Sequence, residues 1–422
     1  MTMRSHECNS CAAIVREAGL AAHPAATQEK YGPGASDTEI KIGNIIPYSG
    51  PAAGYGEIGK TEAAYFNKVN DGGGVNGRKI VFVSYDDGYS APKAVEQARK
   101  LVESDEVLLI FNSLGTPSNI AIHNYMNTMK VPHLFVASGA AKWNDPKNFP
   151  WTMGYLPTFQ SEARIYAQHL LQRHPQGKIG ILYQNDDYGR DYVKGLKDGL
   201  GGKMRIVAEL PYDVSDPAVD SQIVDLKAAG ADILFDVTTT KFTAQAIRKA
   251  AEIGWKPVHI LITGSTSVGT ALKPAGLANA AGILSATYGK DPTDPKWRND
   301  PDFKEWLAFM DEYYPDGDKS SGFTVYGYAV ARVLVRVLEQ CGNDLTRENV
   351  MRQAANLNDL DVGMLLPGIT INTSPTDYAP IKQMQMMRFS GEAWELVGPV
   401  IKMTPAEREQ RTYDRQAEPR PA

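Results

Sequence analysis

Val107–Phe111 (VLLIF) runs directly into Asn112-Ser113-Leu114-Gly115-Thr116-Pro117-Ser118, and a helical pattern follows over Ser118–Met129. Five consecutive apolar residues suit a strand covered on both faces, and Pro117-Ser118 is a helix start. Strand, small polar loop and helix make one parallel βα unit. The unit recurs on either side. Upstream, Glu39–Ile46 (EIKIGNII) precedes a helix over Ile58–Val69, which Asn70-Asp71-Gly72-Gly73-Gly74 stops with residues that tolerate positive φ. Ile80–Tyr85 (IVFVSY) and a helix over Pro92–Val102 come next, and the strand Pro132–Val136 closes the series.

After an interruption the rhythm restarts. A helix over Ser161–Arg173 leads to strand Lys178–Tyr183, helix Tyr188–Leu200 and strand Arg205–Glu209. Helix Ser221–Ala229, strand Asp232–Val237, helix Ala244–Ile253 and strand His259–Ile262 follow. Four βα units, a break, then four more predict an α/β protein of two doubly wound, Rossmann-like lobes. From Pro301 the pattern becomes helical, at Asp302–Tyr313, Val325–Gln340 and Arg347–Ala355. It ends in strand-like Lys382–Phe389 and Ala393–Val397, which suits a chain that returns to cap one lobe and crosses back to the other.

Two lobes fit a length of 422 residues, because single cores stop growing near about 250–300. A formal net charge of -5 gives no electrostatic reason to expect nucleic acid or an anionic membrane as a partner. No stretch approaches the roughly 20 apolar residues of a membrane span. Cys8 and Cys11 form a lone C-x-x-C without a second pair, which argues against structural zinc, and Cys341 leaves the body no disulfide partner. Residues 1–37 show no apolar periodicity, and Gly32-Pro33-Gly34 breaks any element. Two readings stay open there: a degenerate or mis-started secretory leader ahead of a mature chain beginning near Thr27, or a disordered cytosolic tail. The last residues, 403–422, are rich in Glu, Arg and Pro and are expected to fray.

Gly54-Tyr55-Gly56-Glu57-Ile58-Gly59-Lys60-Thr61 has the spacing of both G-x-G-x-x-G and G-x-x-x-x-G-K-[ST], but it stands beyond the Pro47–Pro51 loop and not directly at the strand end, and it runs into the helix read over Ile58–Val69. No G-x-S-x-G elbow appears, and the seven histidines are scattered. Asp86-Asp87 and Asp186-Asp187 follow strands, where carboxylates cap the next helix more often than they catalyse. The chain therefore reads as a binder and not an enzyme, with no cofactor and no metal. What the strand ends carry is small and polar: the Asn112–Ser118 loop, Ala137-Ser138-Gly139-Ala140-Ala141, Thr238-Thr239-Thr240 and Thr263-Gly264-Ser265-Thr266-Ser267. Ligands of open α/β sheets sit at such strand ends, and N–H groups at a helix start receive carboxylates.

Pro47-Tyr48-Ser49-Gly50-Pro51, Tyr55-Gly56, Gly73-Gly74-Val75-Asn76-Gly77-Arg78 and Tyr85-Asp86-Asp87 resemble the opening of the branched-chain amino-acid-binding family. These are type I periplasmic receptors serving ATP-driven importers. The likeness continues through Asp187-Tyr188-Gly189 and Gly254-Trp255-Lys256, over about residues 38–402. It implies a three-crossing hinge near Tyr155, Ala286–Gly289 and Ile371–Tyr378. The lobes would then be 38–155 plus 289–371 and 156–288 plus 372–402. It also implies a monomer in the periplasm, with permease and ATPase subunits of an ABC transporter as partners.

By motif position, the resemblance puts ligand contacts on Tyr55, on Leu114, Gly115 and Thr116, and on Ser138, Gly139 and Ala140. From the second lobe it puts an aromatic wall on Tyr188 and polar closure on Thr239 and Thr266. The family's amino-acid receptors set acidic residues against the ligand ammonium. The corresponding stretches here, Tyr155-Leu156-Pro157-Thr158-Phe159 and Ser265-Thr266-Ser267, contain none. A buried ammonium without a counter-charge is disfavoured by several kcal/mol. Tyr155, Phe159, Tyr188, Tyr183 and Trp143 are expected to line a flat apolar pocket, so the expected ligand is an aromatic or other non-amino carboxylate. Rival readings are an amino-acid or amide receptor of the same fold, a cytosolic ligand sensor, and a dehydrogenase, whose glycine-rich loop would begin directly at the strand end near residue 47, where Pro47-Tyr48-Ser49-Gly50-Pro51 stands.

Overall fold

A computed structural model of the chain describes residues 30–403. The expected leader as far as residue 29, with Cys8 and Cys11, and the tail from 404 onward lie outside the described residues. After β1 (Lys30–Tyr31), the chain builds β2 (Glu39–Ile46), β3 (Lys79–Asp86), β4 (Leu109–Phe111), β5 (His133–Val136) and β6 (Thr152–Gly154). β2 to β6 form a parallel five-stranded sheet in the order β3-β2-β4-β5-β6. β7 (Lys178–Gln184), β8 (Arg205–Tyr212), β9 (Ile233–Val237), β10 (Val258–Leu261) and β11 (Leu284–Thr287) begin a second sheet. β12 (Asp344–Leu345) pairs only with β1, while β13 (Gln383–Phe389) and β14 (Trp394–Lys402) complete the second sheet, ordered β14-β13-β11-β10-β9-β7-β8. Its strands are parallel from β8 to β11 and antiparallel at the β11, β13, β14 edge.

Both sheets reverse their strand order once, between β2 and β4 and between β7 and β9. In open α/β sheets the crevice for a ligand opens at these reversals. The chain leaves the first sheet after Gly154, leaves the second after Thr287, and re-enters it at Gln383, giving three crossings. Between the second and third, the helices Pro301–Tyr313 and Gly322–Cys341 pack into the first sheet's core, where Trp306, Tyr328, Val330 and Leu334 are fully buried beside Ile40 and Phe111. Tyr378 and Ile381 belong to that core as well. Fourteen of the twenty residues of Gly322–Cys341 are buried, so this helix is surrounded by protein on most of its circumference. Among the described residues, no helix is long and apolar enough to cross a membrane.

One expectation is corrected here. Residues 1–37 were to carry no element, yet Lys30–Tyr31 pairs in parallel with Asp344–Leu345. The Tyr31 hydroxyl donates to Asp37 and accepts from the Arg78 guanidinium, at 2.5 and 2.8 Å. Two residues are too few to show a period, and their partner lies more than 300 residues away.

The first core also holds a buried acid. Glu62 faces inward from the helix Gly56–Asp71, its Oε2 3.4 Å from Asn44 Nδ2 and its Oε1 without a partner among the described residues. Burial pushes its carboxyl well above the usual range. A carboxyl raised on folding contributes stability below its unfolded pKa, and that contribution is lost as pH rises toward the folded value. Glu62→Gln keeps the neutral shape. It is expected to match wild type in thermal melts at pH 4.5 and to exceed it at pH 8, by up to about 1.4 kcal/mol per pH unit crossed. Equal melting at pH 8 would show that Glu62 is comfortably ionised.

Candidate functional site

The loops after β4 and β5 run side by side. Ala137 N donates to Ser113 O at 3.0 Å and Leu114 N to Ile45 O at 2.9 Å, extending the sheet by a parallel Leu114–Ala137 bridge. Gly115 turns at φ +100° directly under the Tyr89 ring, where a Cβ would clash. That turn starts the helix Thr116–Thr128 and sets the Thr116 and Ser138 hydroxyls 2.7 Å apart, both buried. Ser138 Oγ accepts from Trp143 Nε1 at 2.9 Å and from Ala140 N at 3.3 Å. Its own hydrogen therefore goes to Thr116 Oγ1, which leaves the Thr116 hydrogen for another acceptor. The first N–H groups of the helix are unpaired within it by construction.

Opposite lies the second sheet's reversal. Asp186 caps the helix Asp187–Leu200 through Tyr188 N and Gly189 N, and the Tyr188 hydroxyl donates to Thr238 O at 3.3 Å. Thr239 precedes the helix Thr240–Glu252, its N–H held by the Tyr212 hydroxyl at 3.0 Å. Phe159 stacks on Tyr192 at 4.6 Å and meets Tyr188 edge-on. The Tyr55 hydroxyl reaches across from the first sheet's side to Gly264 O at 3.1 Å, and Tyr89 meets Gln184 at 3.3 Å.

These groups enclose a cavity of about 170 Å³ between the two sheets and the crossings. Of the expected contacts, Tyr55, Leu114, Gly115, Thr116 and Ser138 line it from one side. Phe159, Tyr188, Thr239 and Thr266 line it from the other, and Tyr155 lies at the crossings. Gly139 and Ala140 do not line it. Gly139 O accepts from Phe159 N at 2.7 Å, and a Cβ on Gly139 would strike Pro157 O and the Phe159 ring. The glycine thus serves the first crossing, not a ligand. Trp143 stands behind Ser138 as its hydrogen-bond donor, and Tyr183 packs against the second core, so neither belongs to the pocket wall.

A second correction concerns charge. The cavity wall contains Glu162 and Asp291, so it is not free of acids. Glu162 sits one turn into the helix Phe159–Arg173, three residues past the stretch read as acid-free. Its Oε1 accepts from Thr263 N at 2.8 Å and the Tyr166 hydroxyl at 2.7 Å, its Oε2 from the Tyr192 hydroxyl at 2.9 Å. Burial pushes this carboxyl up and the three bonds oppose the rise. Burial pushes Asp291 up to about 6, against two bonds from Thr293. Lys290, also in the wall, is engaged by Asp300 at 2.7 Å and Asp302 at 2.8 Å.

Sequence reasoning missed Tyr89, Tyr192, Tyr288, Phe323 and Tyr326 as well, all in the wall. The Tyr155 hydroxyl is buried without a partner among the described residues, and burial pushes it up. The site thus combines aromatic walls with hydroxyl donors at one helix start. The strand-end carboxylates Asp86, Asp87 and Asp186 are occupied by backbone N–H groups of neighbouring turns.

Comparison with known proteins agrees with this architecture. The family model described as periplasmic binding protein matches residues 39–393. A Leu/Ile/Val-binding protein homolog 7 of Brucella abortus (strain 2308) is 26% identical over 368 residues, 83% of this chain and 88% of that protein. A fatty acid ABC transporter substrate-binding protein from Thermomonospora curvata superposes with a TM-score of 0.75 at 23% identity, covering 90% of this chain and 96% of that one. A branched chain amino acid ABC transporter protein from Thermus thermophilus with bound valine gives 0.80 at 16% identity, covering 90% and 100%.

Proposed function

This chain belongs to the periplasmic binding protein family, and from that premise we propose that it is the extracytoplasmic substrate-binding component of an ABC importer for a small carboxylate with an aromatic or other non-amino, apolar body. The observation that supports a carboxylate is the Thr116–Ser138 hydroxyl pair at a helix start inside an aromatic-walled cavity, and the non-amino body rests on the three donors that already occupy Glu162. A carboxylate accepts both the free Thr116 hydrogen and the helix-terminal N–H groups. Ligands named for the similar proteins, branched-chain amino acids and a fatty acid, share a carboxylate on an apolar body. In this reading the protein acts as a monomer in the periplasm and delivers its ligand to permease and ATPase subunits. Tyr55, Leu114, Gly115, Tyr155, Phe159, Tyr188, Thr239 and Thr266 contact that ligand.

Thermal-shift screening tests the class. Aromatic monocarboxylates are expected to stabilise the protein, by about 2.7 kcal/mol at a hundredfold excess over Kd, and leucine, isoleucine and valine to leave it unchanged. Saturable binding of a branched-chain amino acid, with aromatic acids inert, overturns the proposal.

A further inference from the structure

We infer that Glu162 reads a single hydroxyl on the ligand, so that the carboxylates preferred by this protein are hydroxy-substituted; the inference rests on the carboxylate reading above. Glu162 is 3% exposed and lies in the cavity wall. Both acceptor positions of Oε1 are filled, by Thr263 N and the Tyr166 hydroxyl. The Tyr166 oxygen itself accepts from Ala286 N at 3.2 Å, so its hydrogen goes to Glu162. The Thr263 hydroxyl, close by, donates to Ala286 O at 2.6 Å. On Oε2, among the described residues, only the Tyr192 hydroxyl is bonded. One acceptor position is left, and the wall's lysine is held elsewhere by Asp300 and Asp302.

One open acceptor matches one donor. An ammonium brings three, while Thr238 O is filled by Ser265 and Tyr188, and Gly264 O, already accepting from Tyr55, keeps one position. Even with Gly264 O in reach, an ammonium on this face of the cavity keeps a donor unpaired, which is costly. A hydroxyl also suits Glu162 in either protonation state, because it donates to a carboxylate and accepts from a carboxylic acid. Sites built to bond a ligand hydroxyl discriminate strongly against the analogue that lacks it.

Calorimetry with a matched series tests this: 3-phenylpropanoate, its hydroxyl derivatives 3-phenyllactate and 3-(4-hydroxyphenyl)propanoate, and phenylalanine. At least one hydroxy acid is expected to bind about tenfold to a hundredfold more tightly than 3-phenylpropanoate, and phenylalanine no more tightly than it. Glu162→Met, which removes every polar atom at that position, is expected to shrink the hydroxyl preference to about threefold or less while 3-phenylpropanoate still binds saturably. A preference that survives Glu162→Met, or phenylalanine as the tightest of the series, overturns the inference while the importer reading stands. Failure of every carboxylate to bind overturns the ligand class and this inference with it. Should Glu162→Met fail to fold, Tyr192→Phe opens a second acceptor on Oε2. Phenylalanine is then expected to gain about tenfold, and no gain overturns the assignment.

Discussion

Thr116→Val is expected to weaken carboxylate binding by about tenfold to a hundredfold and to lower the melting temperature of the unliganded protein slightly, because the buried Ser138 hydrogen loses its acceptor. The variant keeps the shape of the side chain and removes the one hydroxyl hydrogen that the Ser138 relay frees for a ligand. A charge-assisted bond of this kind is worth about 1.5–3 kcal/mol. Ser138→Ala should weaken binding comparably and cost more without ligand. It deprives the buried Trp143 Nε1 and the Ala140 N–H of their acceptor, which costs about 1–3 kcal/mol of stability. Because both hydroxyls act through one relay, the double variant should bind about as weakly as the worse single one. Calorimetry on the four proteins, with the most stabilising carboxylate of the thermal screen, reads all three outcomes. Wild-type affinity in Thr116→Val would place the carboxylate elsewhere in the cavity.

Gly195→Val is expected to lower stability by about 3 kcal/mol, read as a fall in the urea midpoint, and to abolish detectable ligand binding. Gly195 lies where the helix Asp187–Leu200 crosses Phe159–Arg173, and a Cβ there would fall well inside van der Waals contact of the Gln160 backbone. Gly199, one turn on, is also close-packed, against the Ala167 Cβ and Arg164, with somewhat more room. The two helices cannot separate quietly, since one carries Phe159 and Glu162 and the other Tyr188 and Tyr192, all in the cavity wall. An unchanged midpoint with unchanged affinity would mean that this crossing tolerates a side chain and does not set the wall.

The βα rhythm was legible because its signals are local. Glu39–Ile46 alternates apolar residues before a Pro/Gly loop, and Asp186 caps its helix three residues after an apolar strand. The loops carrying Thr116, Ser138, Tyr188 and Thr239 were legible for the same reason, as each directly follows a strand. β6 and β11 were not, since Thr152-Met153-Gly154 and Leu284-Ser285-Ala286-Thr287 are too short to show a period. The missed wall residues depend on how distant elements meet. Glu162 points into the cavity from a helix face, Tyr288 from a crossing, and Phe323 and Tyr326 from a helix that joins the first core only through tertiary packing. Gly139 misled because a glycine after a strand serves a ligand's approach and a backbone's approach equally well.

The chain order of the two sheets also governs when the protein can exist as a folded object. The first core needs the helices of residues 301–341, which are synthesised after β7 to β11, and β1 waits for Asp344–Leu345. Likewise β11 stays an open edge until Gln383–Phe389 emerges, pairing Thr287 with Gln385. Contacts of such long sequence separation slow folding and leave apolar edges exposed in partial chains. Neither half has its full core before residues 301–341 have been made, so both lobes are expected to complete late and close together in synthesis.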